Sequence, residues 1–163
     1  MPFIVLCGWC IETIYCKVIG EKGKRGFLNG PYCPIYGFGG LLISYLLIPF
    51  RENVFLIFVL SILISTILEY ITGYMLEKKY NRKWWDYSKR KFNIHGRVCL
   101  GNSILFGIMG VITIYFIHPF IVDVITSLDV IYVPIFASVI LTIFISDLTI
   151  TVNRLKVESA IKI

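Results

Sequence analysis

Apolar runs long enough to cross a lipid bilayer fill most of this chain and decide what it can fold into. A hydrocarbon core of roughly 30 Å takes about 20 residues of helix, and runs near that length occupy residues 2–19, 35–50, 54–76, 98–117 and 131–152. With 57% hydrophobic residues and a mean hydropathy of +0.79, the 163-residue chain has more apolar surface than a water-soluble domain could hide. The reading is all-α: a polytopic transmembrane helix bundle of about five spans, forming one integral membrane domain over residues 1–163. Residues 1–117 carry four spans and the polar motifs; residues 118–163 carry a short interfacial segment and the last span.

Two of these assignments rest on local chemistry. The run at 35–50 is short and opens with Pro34, Gly37, Gly39 and Gly40, which weaken a helix in water but are tolerated in membranes beside other protein; a partly re-entrant segment is expected. Residues 119–128 are too few to cross and include Asp123, with Asp129 following, so they are read as an interfacial helix or loop. The first run has no Lys or Arg before it, is interrupted by Glu12 and has no small-residue cleavage site after it. It is expected to be a retained span rather than a signal peptide. Cys7, Cys10, Cys16, Cys33 and Cys99 lie in or beside spans, which does not suit a secreted disulfide framework. The Cys7–Cys10 pair is read as core packing, because neither a His nor a second such pair accompanies it, and no metal or cofactor is expected.

Charge sets the expected orientation. Lys22, Lys24 and Arg25 lie between the first two spans, and Lys78, Lys79, Arg82, Lys83, Lys89, Arg90, Lys91 and Arg97 between the third and fourth. The other two connections hold only Arg51 with Glu52, and Asp123 with Asp129, while Arg154, Lys156 and Lys162 make the tail basic. By the positive-inside rule the amino terminus is outside and the carboxyl terminus inside, at the cell membrane. The basic residues hug span boundaries without a recognition motif, so membrane lipids rather than nucleic acid are the expected contact.

Several residues are costly where they stand. Glu12 and Glu69 fall on the inner halves of the first and third spans, where a carboxylate costs up to about 3 kcal/mol unless it faces the bundle interior with a partner. Either they form a proton, cation or substrate site, or they are structural, paired with Arg25 or Arg97 or hydrogen-bonded to Tyr15 or Tyr70. The segment RGFLNGPYCPIYGFG, residues 25–39, holds Pro31 and Pro34 among four glycines. It is expected to interrupt helix and form a cap or re-entrant turn whose backbone, with Asn29, Tyr32, Cys33 and Tyr36, could meet a polar ligand. The loop WWDYS, residues 84–88, then Asn93 and HGRVCL, residues 95–100, is expected to be pinned by Trp84 and Trp85 at the headgroup level, with Asp86 beside Arg25 or Arg97. His95 alone is read as a surface or hydrogen-bonding residue. Gly30-x-x-Cys33 and Gly96-x-x-Cys99 open the second and fourth spans, each preceded by a span carrying a glutamate. That pattern suggests a two-span repeat.

These strings carry a resemblance. RGFLNGPYCPIYGFG, Glu69-Tyr70-Ile71-Thr72-Gly73, WDYS with Asn93, and GRVCL occur in the order seen in the bacterial membrane proteins of the type IV ABC-transporter (CmpB-like) family, and Gly8, Trp9 and Glu12 resemble that family's first-span motif. The resemblance runs from about residue 8 to residue 107. It implies transport without naming a substrate. No GxxxxGK[ST] motif is present, so a permease of this kind would need a separate ATPase subunit.

Three readings of function stay open on the sequence. The leading one is a multi-pass transport or permease-like subunit whose polar site, at the cytoplasmic face, draws on Glu12, Arg25, Asn29, Tyr32, Cys33, Tyr36, Glu69, Tyr70, Asp86, Tyr87, Asn93, Arg97 and Cys99, with a homo-oligomer enclosing the pathway. The second is a membrane-embedded enzyme acting on a lipid or isoprenoid headgroup, with Cys33 or Cys99 as nucleophile or a glutamate as base, and Arg25 and Arg97 on phosphate. The third is an assembly or regulatory subunit in which Asp86, Tyr87 and Arg97 dock a partner.

Overall fold

The structure, a computed structural model, describes residues 27–30 and 33–161, with side chains as far as Glu158. The expected first span at 2–19, with Glu12, the cysteine pair, Arg25 and Tyr32, lies outside the described residues. Helix α1 runs Pro34–Leu47 and ends in a single 3-10 turn at Ile48–Phe50. Helix α2 is Val54–Tyr80, a hairpin follows with strands β1 (Asn93–Ile94) and β2 (Val98–Cys99), and α3 begins at once at Leu100–Ile112. A π-helical turn at Thr113–Ile117 joins α3 to α4 (His118–Ser127), and α5 is Tyr132–Ile161. Three of these helical stretches, Val54–Tyr80, Leu100–Ser127 and Tyr132–Glu158, are long and apolar enough to cross a membrane, and Pro34–Phe50 is a shorter apolar helix.

Helix α2 starts and stops where its flanking asparagines dictate. The Asn53 side chain accepts from the Leu56 N–H at 3.0 Å, satisfying one of the donors that the first turn leaves open. Asn81 takes a left-handed conformation (φ 49°) and ends the helix. At 27 residues, α2 is about 40 Å long, more than a hydrocarbon core needs, and Lys78 and Lys79 complement the dipole of its last turn.

Three expectations change. The irregular segment that was to run through residue 39 stops at Cys33: Pro34 occupies the first turn of α1, where its missing N–H costs nothing, and helix runs on through Gly37, Gly39 and Gly40. Residues 98 and 99 belong to the hairpin, so the fourth helix begins at Leu100. Residues 119–127 are not a separate helix or loop, since the helix from Leu100 continues to Ser127. Pro119 cannot donate to the carbonyl four residues back. The backbone accommodates it with the π-turn, in which the His118 N–H reaches the Thr113 carbonyl.

Between apolar helices in lipid there is no hydrophobic drive to associate, so close packing and polar contacts must hold them. Helices α2 and α3 meet along small residues, with Ser61 and Ser65 on one and Ser103, Gly107 and Gly110 on the other, all buried. Gly110 sits so tightly against Ser61 that a methyl group there would overlap the serine side chain, and Thr66 donates to Ser103 across the seam at 2.8 Å. Ile43 and Leu47 of α1, Ile57 of α2 and Ile114 of the π-turn form the core beside it. The outward faces are apolar: Phe55, Met75, Phe116 and Val139 are all exposed, as suits surfaces that face lipid.

Residues 27–30, which lead towards α1, lie at the same end of the bundle as the basic loop at 81–97. Phe27 stacks on Tyr80 and Trp84, with ring centroids 6.1 and 5.5 Å apart, and Asn29 meets Asp147 and Arg154 of α5. At the opposite end the Tyr115 hydroxyl donates to the Arg51 carbonyl.

Candidate functional site

Glu69 lies on α2, about 16 Å short of the helix end, and is only 4% exposed. Its Oε1 accepts hydrogen bonds from the Tyr87 hydroxyl at 3.0 Å and from Asn102 Nδ2 at 3.0 Å. The same Asn102 nitrogen is 2.9 Å from the Tyr87 oxygen, which closes the triangle. Three separate elements are joined here: α2 supplies the carboxylate, the loop at 81–97 the phenol, and α3 the amide. Burial, and after it the neighbouring Glu69 carboxylate, push the Tyr87 phenol well above its ordinary value of 10.0, with Tyr36 and Cys99 close enough to add to the effect. The phenol is therefore a fixed proton donor at any physiological pH.

Of the three, Glu69 reaches the wall of a cavity of about 50 Å³ between α1, α2 and α3, lined also by Tyr36, Gly40, Ser65, Leu68 and Phe106 among others. Such a space is large enough for water or a small polar group. Tyr36 packs edge-on against Phe106 (6.0 Å between centroids). Cys33 and Cys99 are buried and form no disulfide, each the residue that caps its following helix, α1 and α3 respectively.

The loop that delivers Tyr87 is braced from within. Asp86 accepts from the Ser88 hydroxyl at 2.5 Å and from the Ser88 N–H at 3.0 Å, and these bonds, the hydroxyl's first, hold its carboxyl below the usual carboxylate value. Asn93 donates to the Arg90 carbonyl at 2.7 Å and accepts from the Gly96 N–H at 2.9 Å. The turn of the hairpin places His95 (φ 53°) and Gly96 (φ 69°) in the left-handed region, the signature of a type I′ turn. A side chain at Gly96 would also collide with Ser88 and Asp86.

The expected pairings therefore change. Asp86 is not beside Arg97: it is exposed, tied to Ser88, and 3.8 Å from Lys83. Arg97 instead pairs with Glu77, Nε to Oε2 at 3.0 Å and the terminal nitrogen at 2.9 Å. Its guanidinium also lies 5.5 and 5.3 Å from the ring centroids of Tyr70 and Tyr74. Glu77 is one turn nearer the loop than Tyr74, within reach of the hairpin. Tyr70 is hydrogen-bonded to His95 Nδ1 at 3.0 Å, not to Glu69. Trp85 donates to the Arg97 carbonyl at 2.9 Å, and Trp84 stacks on Phe27 and Tyr80, so both pack against protein.

Two polar residues that sequence reasoning passed over prove central. Asn102 completes the Glu69 cluster; its signal was an amide three residues inside an apolar helix. Asp147, a carboxylate within the last apolar run, accepts from the Asn29 side chain at 2.9 Å and from the Gly30 N–H at 2.8 Å. Asn29 also donates to Thr151 and accepts from Arg154, at 2.9 and 2.7 Å. This clasp fastens α5, a helix whose outer surface is mostly exposed, to the segment that leads into α1. Among the described residues no three His, Cys, Asp or Glu side chains converge as a metal site would require.

Long apolar helices packed through small residues, with a buried carboxylate bonded to the basic loop at 81–97, define a polytopic α-helical membrane protein. More particularly, a sequence model of the family described as Putative ABC-transporter type IV matches residues 2–152, and the chain belongs to that family. The match extends well past residue 107, where the motif resemblance ends, and takes in Asp147. No curated protein and no solved structure matches the chain.

Proposed function

We propose that this chain is the membrane-spanning, permease-like subunit of a transporter in the bacterial cell membrane, with its amino terminus outside and its carboxyl terminus inside. The family supports a transport role, and the observation that carries the site is the Glu69–Tyr87–Asn102 cluster. A buried carboxylate in the wall of a cavity between helices is bonded directly to a loop at the basic end of the bundle. A movement of that loop would change the hydrogen bonds of Glu69, and occupancy of the cavity would be felt in the loop. This is the linkage a transport subunit needs between its pathway and whatever supplies energy at the cytoplasmic face. Tyr36 and Cys99 border the cluster, and Glu12 and Arg25 are proposed to complete it. A second copy of the chain would help to enclose a pathway that so few helices can hardly enclose alone.

The chain has no phosphate-binding loop, so ATP hydrolysis is assigned to a separate subunit. Purification of the tagged full chain from native membranes in mild detergent, followed by mass spectrometry, tests this. An ATPase subunit at fixed stoichiometry is the expected result; a preparation with no ATPase under several mild detergents contradicts the assignment.

A further inference from the structure

The outer edge of the 81–97 loop presents a surface that the Glu69 cluster does not use. Lys89, Arg90 and Lys91 are consecutive and exposed, and among the described residues none of them makes an ion pair. Asp86 is bonded to Ser88 and paired with Lys83, feeling Lys89 only as a weaker, more distant charge, and Glu77 is paired with Arg97. Directly after the three cations Phe92 is 78% exposed and Ile94 54% exposed. Phe92 holds a φ of 53°, a conformation unfavourable for a side-chain-bearing residue and kept only where the surroundings impose it.

Those surroundings are visible. The Arg90 N–H bonds the Tyr87 carbonyl at 2.8 Å, Asn93 holds the Arg90 carbonyl at 2.7 Å, and the Leu100 N–H bonds the Phe92 carbonyl at 3.1 Å. The last of these ties Phe92 to the first residue of α3, the start of a helix long and apolar enough to cross a membrane, and the end of a spanning helix lies at the level of lipid headgroups. Three exposed cations on a braced backbone, followed by two exposed apolar side chains at that level, complement a phosphate-bearing surface with hydrocarbon beneath it.

We propose that the Lys89–Arg90–Lys91–Phe92 edge binds anionic phospholipid headgroups, the cations meeting phosphate and Phe92 and Ile94 entering the interface. The contact would hold the loop that carries Tyr87 against the membrane, independently of what the transporter carries. A cation near an anionic surface contributes about fivefold in affinity, so loss of all three should cost at least tenfold.

The test uses the purified full chain in detergent, exchanged with mixed micelles of phosphatidylcholine and phosphatidylglycerol, with retained lipid measured by native mass spectrometry. The wild type is expected to retain phosphatidylglycerol at least tenfold over its share of the mixture, and less so as salt rises. The triple variant K89Q/R90Q/K91Q should lose that preference, K89R/K91R should keep it, and F92S should weaken retention of both lipids. No preference in the wild type, or full preference in the triple variant at unchanged thermal stability, overturns the proposal. So does a triple variant that keeps its lipid but loses a co-purifying protein, which would make the edge a protein-docking surface.

Discussion

At Glu69 one carboxylate oxygen serves two donors from two other elements, so the residue cannot be removed without leaving buried donors behind. Glu69→Ala should destabilise the protein by about 2–5 kcal/mol, read as a lower thermal unfolding temperature in detergent. Glu69→Gln retains an acceptor oxygen and should lose much less. Tyr87 supplies a pH signature. Its folded pKa is raised, so the stability it confers is fully present below the unfolded value near 10 and is lost as pH rises above that point. The expected outcome is a phenolate absorbance titration above pH 10.0 in which Tyr87 ionises only with unfolding, and a Tyr87→Phe variant whose stability falls less steeply there. Glu69 was legible in the sequence because a carboxylate in an apolar run is costly wherever it lies. Its partners were not, because burial alone does not say which of Arg97, Tyr70, Tyr87 or Asn102 the fold brings near. Asp86 shows the same limit: Glu77, also an acid within reach of Arg97, holds the arginine because Arg97 lies over α2 one turn from it.

Helices α2 and α3 approach as closely as they do because Gly110 has no side chain to place against Ser61. A glycine in a helix usually gains about 1 kcal/mol on replacement by alanine. Here Gly110→Ala should instead lose about 1–3 kcal/mol by overpacking, and Ser61→Gly introduced with it should recover most of that loss, a rescue measurable in thermal melts of the single and double variants. The clasp on α5 acts at the same scale. Asp147→Asn removes the charge that holds the Gly30 N–H and the Asn29 side chain, and should raise hydrogen exchange in the second half of α5 while leaving α2 and α3 protected. Equal exchange in all three helices of the variant would show that the clasp does not set the position of α5. Hydropathy located most of the long helices but averaged over their polar residues, which is why Asp147 went unnoticed in a run that it interrupts. It also placed a boundary after residue 117 that the backbone crosses with a π-turn, since proline signals a break only where no such adjustment is made.

Across the described residues, apolar helices meet through serine and glycine while buried polar groups collect towards the end where the basic loop at 81–97 lies. Composition made the membrane class plain, and the charge of the loops supplied an orientation; neither could reveal that the motif WDYS, Asn93 and HGR is chiefly a self-braced loop that sends Tyr87 to Glu69 and Arg97 to Glu77. Transport, with the Glu69 cluster on its path, is the central claim. Its most direct test is reconstitution of the complex purified from native membranes into vesicles, followed by ATP-driven accumulation of small molecules from a cell extract, profiled by mass spectrometry. The wild type should accumulate at least one compound only when ATP is present, and Glu69→Gln, at similar stability and with the same co-purifying subunits, should fall at least tenfold. Accumulation by Glu69→Gln equal to that of the wild type would contradict the account.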